Sequence, residues 1–142
     1  MLRVKHLLSV KGNDVWCIDA EDPVLRAIQF MADKHVGALP VMRGNELVGI
    51  VSERDYARKV ILRGRSSAET AVWEIMSAPV ISVSPDQTVQ DCMQLVTERR
   101  VRHLPVLDKN QLVGMVSIGD LVRAVIEEQQ ETITQLEKFI TS

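Results

Sequence analysis

Apolar residues recur along this chain in two rhythms, and the whole series of rhythms occurs twice. Val24, Ala27, Ile28 and Met31 fall at i, i+3, i+4 and i+7, which predicts one buried face of an α-helix with Arg26, Gln29 and Asp33 off it. An apolar run over residues 38–42, the polar turn Arg43-Gly44-Asn45-Glu46 and a second run over 47–51 then predict a β-hairpin. Helical spacing returns over 55–62. Ahead of all this, Gly12-Asn13-Asp14 is a turn signal, Val15-Trp16-Cys17-Ile18 reads as a short buried strand, and Asp22-Pro23 as a helix start with Asp at the N-cap. The second half repeats the series: a strand over 80–83, Thr88 as N-cap with Asp91 three residues on, the stripe Val89, Cys92, Met93 and Val96, a hairpin around Asp108-Lys109-Asn110-Gln111, and a helix from Asp120.

A shift of about 65 residues superimposes Leu39-Pro40-Val41 on Leu104-Pro105-Val106, Leu47-Val48-Gly49 on Leu112-Val113-Gly114, and Ser52 and Asp55 on Ser117 and Asp120, without a gap. Each repeat therefore reads β-α-β-β-α, an α/β chain of the α+β type with small sheets, the first strand running parallel to the one after its helix. A chain of 142 residues buries one sizeable core, which two pseudo-symmetric repeats this small are expected to share. The expected division is repeat 1 with the N-terminal segment at 1–66, repeat 2 at 67–128, and a C-terminal helix extension at 129–142. In that extension Val122, Ile126, Gln129, Ile133, Leu136 and Ile140 alternate spacings of four and three, an a/d seam that predicts one long helix and a homodimer to which it contributes.

Composition narrows the function classes. With a formal net charge of -2 and charges of mixed sign, the chain lacks the accumulated Lys and Arg on which nucleic-acid or membrane-surface binding rests. No apolar run reaches the length of a membrane span, and the N-terminus has no uninterrupted apolar h-region, so the cytoplasm is the expected location. Cys17 and Cys92 show no CxxC spacing and read as reduced, buried small hydrophobes. Trp16 and Trp73 read as core anchors, and Gly49 and Gly114 as strand glycines at close backbone contacts. His6, His35 and His103 lie on different elements without ligand spacing, so no metal site is expected.

Both copies carry Leu-Pro-Val, a hairpin, Leu-Val-Gly-(Ile/Met)-Val and Ser-x-x-Asp ahead of a helix, and as an ensemble the chain resembles a tandem cystathionine β-synthase (CBS) domain pair, or Bateman module. The resemblance covers nearly the full chain and implies a stand-alone regulatory module holding adenine nucleotides (AMP, ADP, ATP or NAD(H)) in clefts between the repeats. Ser52-x-x-Asp55 and Ser117-x-x-Asp120 stand where a strand runs into a helix; a capping box explains either copy alone, while a carboxylate also suits the vicinal hydroxyls of a ribose. Arg54 and Arg58 add guanidinium groups for phosphate in the first copy, where the second has Gly119 and Arg123. Arg102 and His103 match the basic pair that in this family reaches phosphate; Gly37 and Ala38 take those positions in repeat 1, and the resemblance assigns adenine there. One cleft is thus expected to combine Lys11, Val15, Trp16, Gly37 and Ala38 with Arg102, His103, Ser117 and Asp120. The other would use Pro79, Val80 and Ile81 with Ser52, Arg54 and Asp55. Protonation of His103 is expected to strengthen binding as pH falls through its usual range. No catalytic constellation is present in the pattern, so an enzyme is the least favoured reading. A structural, dimerising interaction protein without a physiological ligand is the alternative to a nucleotide sensor signalling to an unknown effector.

Overall fold

The two hairpins are built on the same plan because the same residues recur at the same spacing. The computed structural model describes residues 1–12 and 14–141; Asn13 of the turn signal and the terminal Ser142 lie outside the described residues. In the first repeat β2 (Ala38–Arg43) and β3 (Glu46–Ser52) pair antiparallel from Ala38 opposite Ser52 to Arg43 opposite Glu46, with a bulge at Val41/Met42. In the second, β4 (His103–Asp108) and β5 (Gln111–Ser117) pair from His103 opposite Ser117, with the bulge at the equivalent Val106/Leu107. Lys109 and Asn110 both take positive φ at the tip of the second hairpin, the backbone twist that suits a tight two-residue turn.

The helices follow their stripes. α2 (Val24–Lys34) buries Val24, Ala27 and Met31, and α5 (Val89–Arg99) buries Val89, Cys92 and Val96. Thr88 caps α5 by accepting a hydrogen bond from Asp91 N at 3.0 Å. The start of α2 differs from expectation: Pro23 is the N-cap, with ψ of 147°, and Asp22 instead reaches Arg26 at 3.4 Å. α3 (Glu53–Tyr56) widens into a π-helical stretch over Ala57–Ile61, where Leu62 N reaches back to Ala57 O and Arg65 N to Val60 O. α6 (Ile118–Thr141) is one unbroken helix of 24 residues, as the uninterrupted pattern predicts.

The leading strands are shorter than expected. β1 is only Ile18–Asp19, parallel to β2 through Ile18 opposite Val41. Side chains alternate across a strand, so Ile18 turns inward while Cys17 is exposed, which corrects the expectation of a buried thiol. Trp16, at 37% exposure, is likewise no core anchor. Its ring packs edge-on to Phe30 with centroids 6.0 Å apart, and Lys34 Nζ sits 4.3 Å from its centroid. Trp73 is also exposed. The strand expected over 80–83 reduces to one parallel bridge, Val83 to Val106, because only Val83 meets a partner backbone.

The grouping of segments is not that of the sequence. One compact unit is Val15–Ile81; the other joins Met1–Asp14 to Ser82–Ser142. In the first unit the short α4 (Val72–Ile75) is clasped by the start of α2, with Val72 N donating to Asp22 O and Val24 N to Thr70 O. In the second unit α1 (Val4–Lys11) is held identically: Val4 N donates to Gln87 O and Val89 N to Leu2 O. Residues 2–8 and 70–76 are therefore counterparts, and the segment leading into each repeat packs with the other one. Gly49 and Gly114 make room for them: a Cβ on Gly49 would meet Met76 Sδ at 2.5 Å, and one on Gly114 would meet Leu8 Cδ2 at 2.5 Å. The first unit's buried cluster includes Met31, Leu39, Val41, Val51, Val60 and Ile75. In the second, Val4, Leu104, Val106, Val116 and Leu121 are fully buried.

Candidate functional site

Each unit presents one Ser-x-x-Asp corner where the hairpin's last strand turns into a helix. In the first unit Asp55 Oδ2 accepts hydrogen bonds from Ser52 N and Oγ, both at 3.0 Å, while Asp55 N donates to Ser52 Oγ at 3.1 Å. In the second, Asp120 Oδ2 accepts from Ser117 N at 2.8 Å and Asp120 N donates to Ser117 Oγ at 3.1 Å. Both corners are complete capping boxes, so local helix formation alone places each carboxylate. Each carboxylate is shielded yet reachable, with 13% of the Asp55 side chain and 15% of the Asp120 side chain exposed.

What distinguishes the corners is the cation. Lys59, one turn along the same helix, lies 3.1 Å from Asp55 Oδ1 and donates to Ile75 O at 2.9 Å; Ser77 Oγ stands 3.5 Å from the same carboxylate oxygen. At Asp120 the cation comes from the far end of the chain: Lys11 Nζ is 2.7 Å from Oδ2 and 2.8 Å from Met115 O, with Arg123 at 3.6 Å from Oδ1. Sequence reasoning missed Lys59, although its i+4 spacing from Asp55 was a readable signal. It included Lys11, whose proximity to Asp120 the structure provides.

Burial pushes the Asp120 carboxyl upward, but the hydrogen bonds from Lys11 and Ser117 outweigh it and hold the group below the usual carboxylate range. His103 moves in the opposite sense relative to function. Burial, then the positive charge of Lys11 and later that of Arg102, lower its pKa despite the opposing pull of Asp120. His103 therefore takes up its proton at a lower pH than an ordinary histidine, which moves the expected strengthening of binding toward lower pH.

The other candidates divide between the units. Val15, Trp16, Gly37, Ala38, Ser52, Arg54, Asp55, Arg58, Pro79, Val80 and Ile81 belong to the first; Lys11, Arg102, His103, Ser117, Gly119 and Asp120 to the second. Gly37 lies beside its own unit's corner, its carbonyl accepting from Glu53 N at 3.0 Å, and Arg102 O accepts likewise from Ile118 N at 2.9 Å. Ala38 is buried, opposite Ser52, while a Cβ on Gly37 would meet open space. The side chains of Arg54, Arg58 and Arg102 are exposed and bond to no described residue. A separate open pocket in the first unit is lined by Cys17, Asp19, Asp22, Arg26, Phe30 and Asp33, none of them a predicted site residue. Among the described residues no group of His, Cys, Asp and Glu is arranged to hold a metal.

The family described as CBS domain matches this chain twice, over residues 5–62 and 72–127. The chain belongs to the CBS domain family. A mitochondrial CBS domain-containing protein of Arabidopsis thaliana is 44% identical over 137 residues, covering 93% of this chain and 66% of that protein. A CBS domain-containing protein of Bacillus subtilis is 35% identical over 109 residues, 77% of each chain. Among solved structures, a protein with CBS domains from Burkholderia ambifaria is 49% identical with a TM-score of 0.84, covering 89% of this chain and 96% of its own. At 22% identity and a TM-score of 0.80, over 90% of this chain and 98% of the other, a CBS domain pair solved with 5′-methylthioadenosine and S-adenosyl-L-methionine shares the fold. No helix among the described residues of this CBS pair is long and apolar enough to cross a membrane.

Proposed function

We propose that this CBS pair is a regulatory module that binds adenine nucleotides (AMP, ADP, ATP or NAD(H)) and passes occupancy to an effector protein by a change of conformation or assembly. The observation that carries the reading is the pair of shielded carboxylates, Asp55 and Asp120, each at a strand-to-helix corner and each ion-paired with a partly exposed lysine. Either carboxylate offers two acceptors to vicinal ribose hydroxyls, with Lys59, Arg54 and Arg58 near one and Lys11, Arg102 and His103 near the other to meet phosphate. The CBS pair of the same fold that was solved with two adenosine derivatives supports the choice of adenosine as the common element. We assign no catalytic step. Among the described residues no hydrogen bond joins His103 to Ser117 or Asp120, and each serine serves its own capping box. The module is proposed to act in the cytoplasm as a homodimer.

A ligand that binds only the folded state raises the melting temperature with its occupancy. Thermal unfolding with AMP, ADP, ATP, NAD(H), 5′-methylthioadenosine and S-adenosyl-L-methionine is therefore the test, with a rise expected for at least one. One observation favours the structural reading instead: among the described residues no buried polar side-chain atom lacks a partner, so neither corner needs a ligand for its own stability. Uniform failure of all six compounds to raise the midpoint would establish that alternative, and turnover of ATP or NAD would overturn the assignment of no enzymatic activity.

A further inference from the structure

From Ile126 to Thr141 every side chain of α6 is exposed, although the helix is continuous. The face of its first turns that carries Leu121 and Ala124 is buried; the stripe beside that face is not. Val122, Ile126, Ile133, Leu136 and Ile140 lie between 40% and 81% exposed. Four helical turns this exposed are marginal in water, so an apolar stripe along them calls for a cover. Written as heptads, Ile126, Ile133 and Ile140 occupy a, and Val122, Gln129 and Leu136 occupy d, the spacing that seats one helix against another of the same kind.

Charge decides the direction. In an antiparallel pair of identical helices, Ile126 meets Leu136, Ile133 meets Gln129 and Ile140 meets Val122 of the other copy, six layers over about 27 Å. The same register sets Arg123 opposite Glu137 of the other copy at both ends, and Gln130 against Gln130 in the middle. In the in-register parallel pair, Gln129 stacks on Gln129, Arg123 flanks Ile118 and Glu137 flanks Thr132, so neither charge finds an opposite. We propose that α6 pairs antiparallel with α6 of a second copy in this register. The proposal rests on the homodimer reading and is independent of nucleotide binding.

The test uses the full chain with Cys17→Ser, since Cys17 is exposed. Gln129→Cys and Ile133→Cys are made separately, oxidised alone and after mixing in equal amounts. Antiparallel pairing predicts no disulfide dimer from either alone and a linked heterodimer from the mixture; linkage within each single variant would overturn the proposal in favour of parallel pairing. Arg123→Glu and Glu137→Arg should each raise the dimer dissociation constant about five- to tenfold in sedimentation equilibrium, with the double variant restoring it. Restoration excludes a local effect of Arg123 on Asp120. A dimer unweakened by truncation after Glu127 would overturn α6 as the interface while leaving the homodimer standing, and a monomeric full-length chain at tens of micromolar would overturn both. Ligand-induced melting shifts on the same variants keep the nucleotide reading separate.

Discussion

Replacing Lys11 by Met removes the one cation that the chain's first helix delivers to Asp120, while keeping an unbranched side chain only one atom shorter. Lys11 Nζ makes two contacts, at 2.7 Å to Asp120 Oδ2 and 2.8 Å to Met115 O. The lysine is about half exposed, so solvent screening limits the ion pair to about 0.5–1 kcal/mol, and the lost donor to the carbonyl adds about 1 kcal/mol. A destabilisation of about 1–2 kcal/mol is expected by urea unfolding near neutral pH. Two titrations give sharper tests. Lys11 lowers the pKa of Asp120 by hydrogen bonding and lowers that of His103 by charge repulsion, so both should rise toward their ordinary values in Lys11→Met. Because the folded-state pKa of Asp120 lies below its unfolded value, the stabilisation it carries is present above the unfolded pKa and is lost as pH falls through the folded one. The stability gap between wild type and Lys11→Met should accordingly narrow as the medium is acidified through the carboxylate range. NMR titration of the Asp120 carboxyl and the His103 ring is the assay. A rise in neither pKa, or a gap that widens in acid, would refute the reasoning.

Gly49→Ala should cost about 1–3 kcal/mol and more than Gly114→Ala, because its Cβ would meet the Ser77 backbone carbonyl at 3.1 Å as well as Met76, whereas the nearest atoms at Gly114 all belong to the yielding Leu8 side chain; paired urea titrations rank them. Asp55→Ala and Asp120→Ala should each weaken nucleotide binding at one corner by up to a few kcal/mol in calorimetry, and unchanged affinity in both would remove the ribose role. Nucleotide affinity at the Asp120 corner should increase on acidification with a midpoint below that of an ordinary histidine, since burial and the nearby Lys11 lower the His103 pKa; calorimetry from neutral to mildly acid pH locates the step. A thiol reagent should label Cys17 in the folded protein and Cys92 only after unfolding, because Cys92 is fully buried and burial, aided by Asp91, pushes its thiol up to about 11; mass spectrometry of native and denatured samples distinguishes them.

What the sequence by itself determined is local. The helical stripes, the hairpin turns, the Thr88 cap and both Ser-x-x-Asp capping boxes depend on residues at most seven apart, where spacing alone states which side chains share a face, and each hairpin joins runs that are neighbours along the chain. Duplication of the pattern made the family legible for the same reason. Other features were decided only by pairing across the chain. Residues 2–8 and 70–76 share little identity, and their offset of 68 residues departs from the repeat's 65, so nothing in the periodicity announces that each packs with the other repeat. Whether 15–18 formed a full strand depended on how far β2 could accompany it, and pairing that begins only at Ile18 left Trp16 and Cys17 exposed. The two corners show the division most plainly. The local code places Asp55 and Asp120 identically, whereas tertiary packing gives one a lysine from its own helix and the other a lysine 109 residues away. Charge acts through space, so the electrostatic character of each corner became readable only once the fold had brought its cation to it.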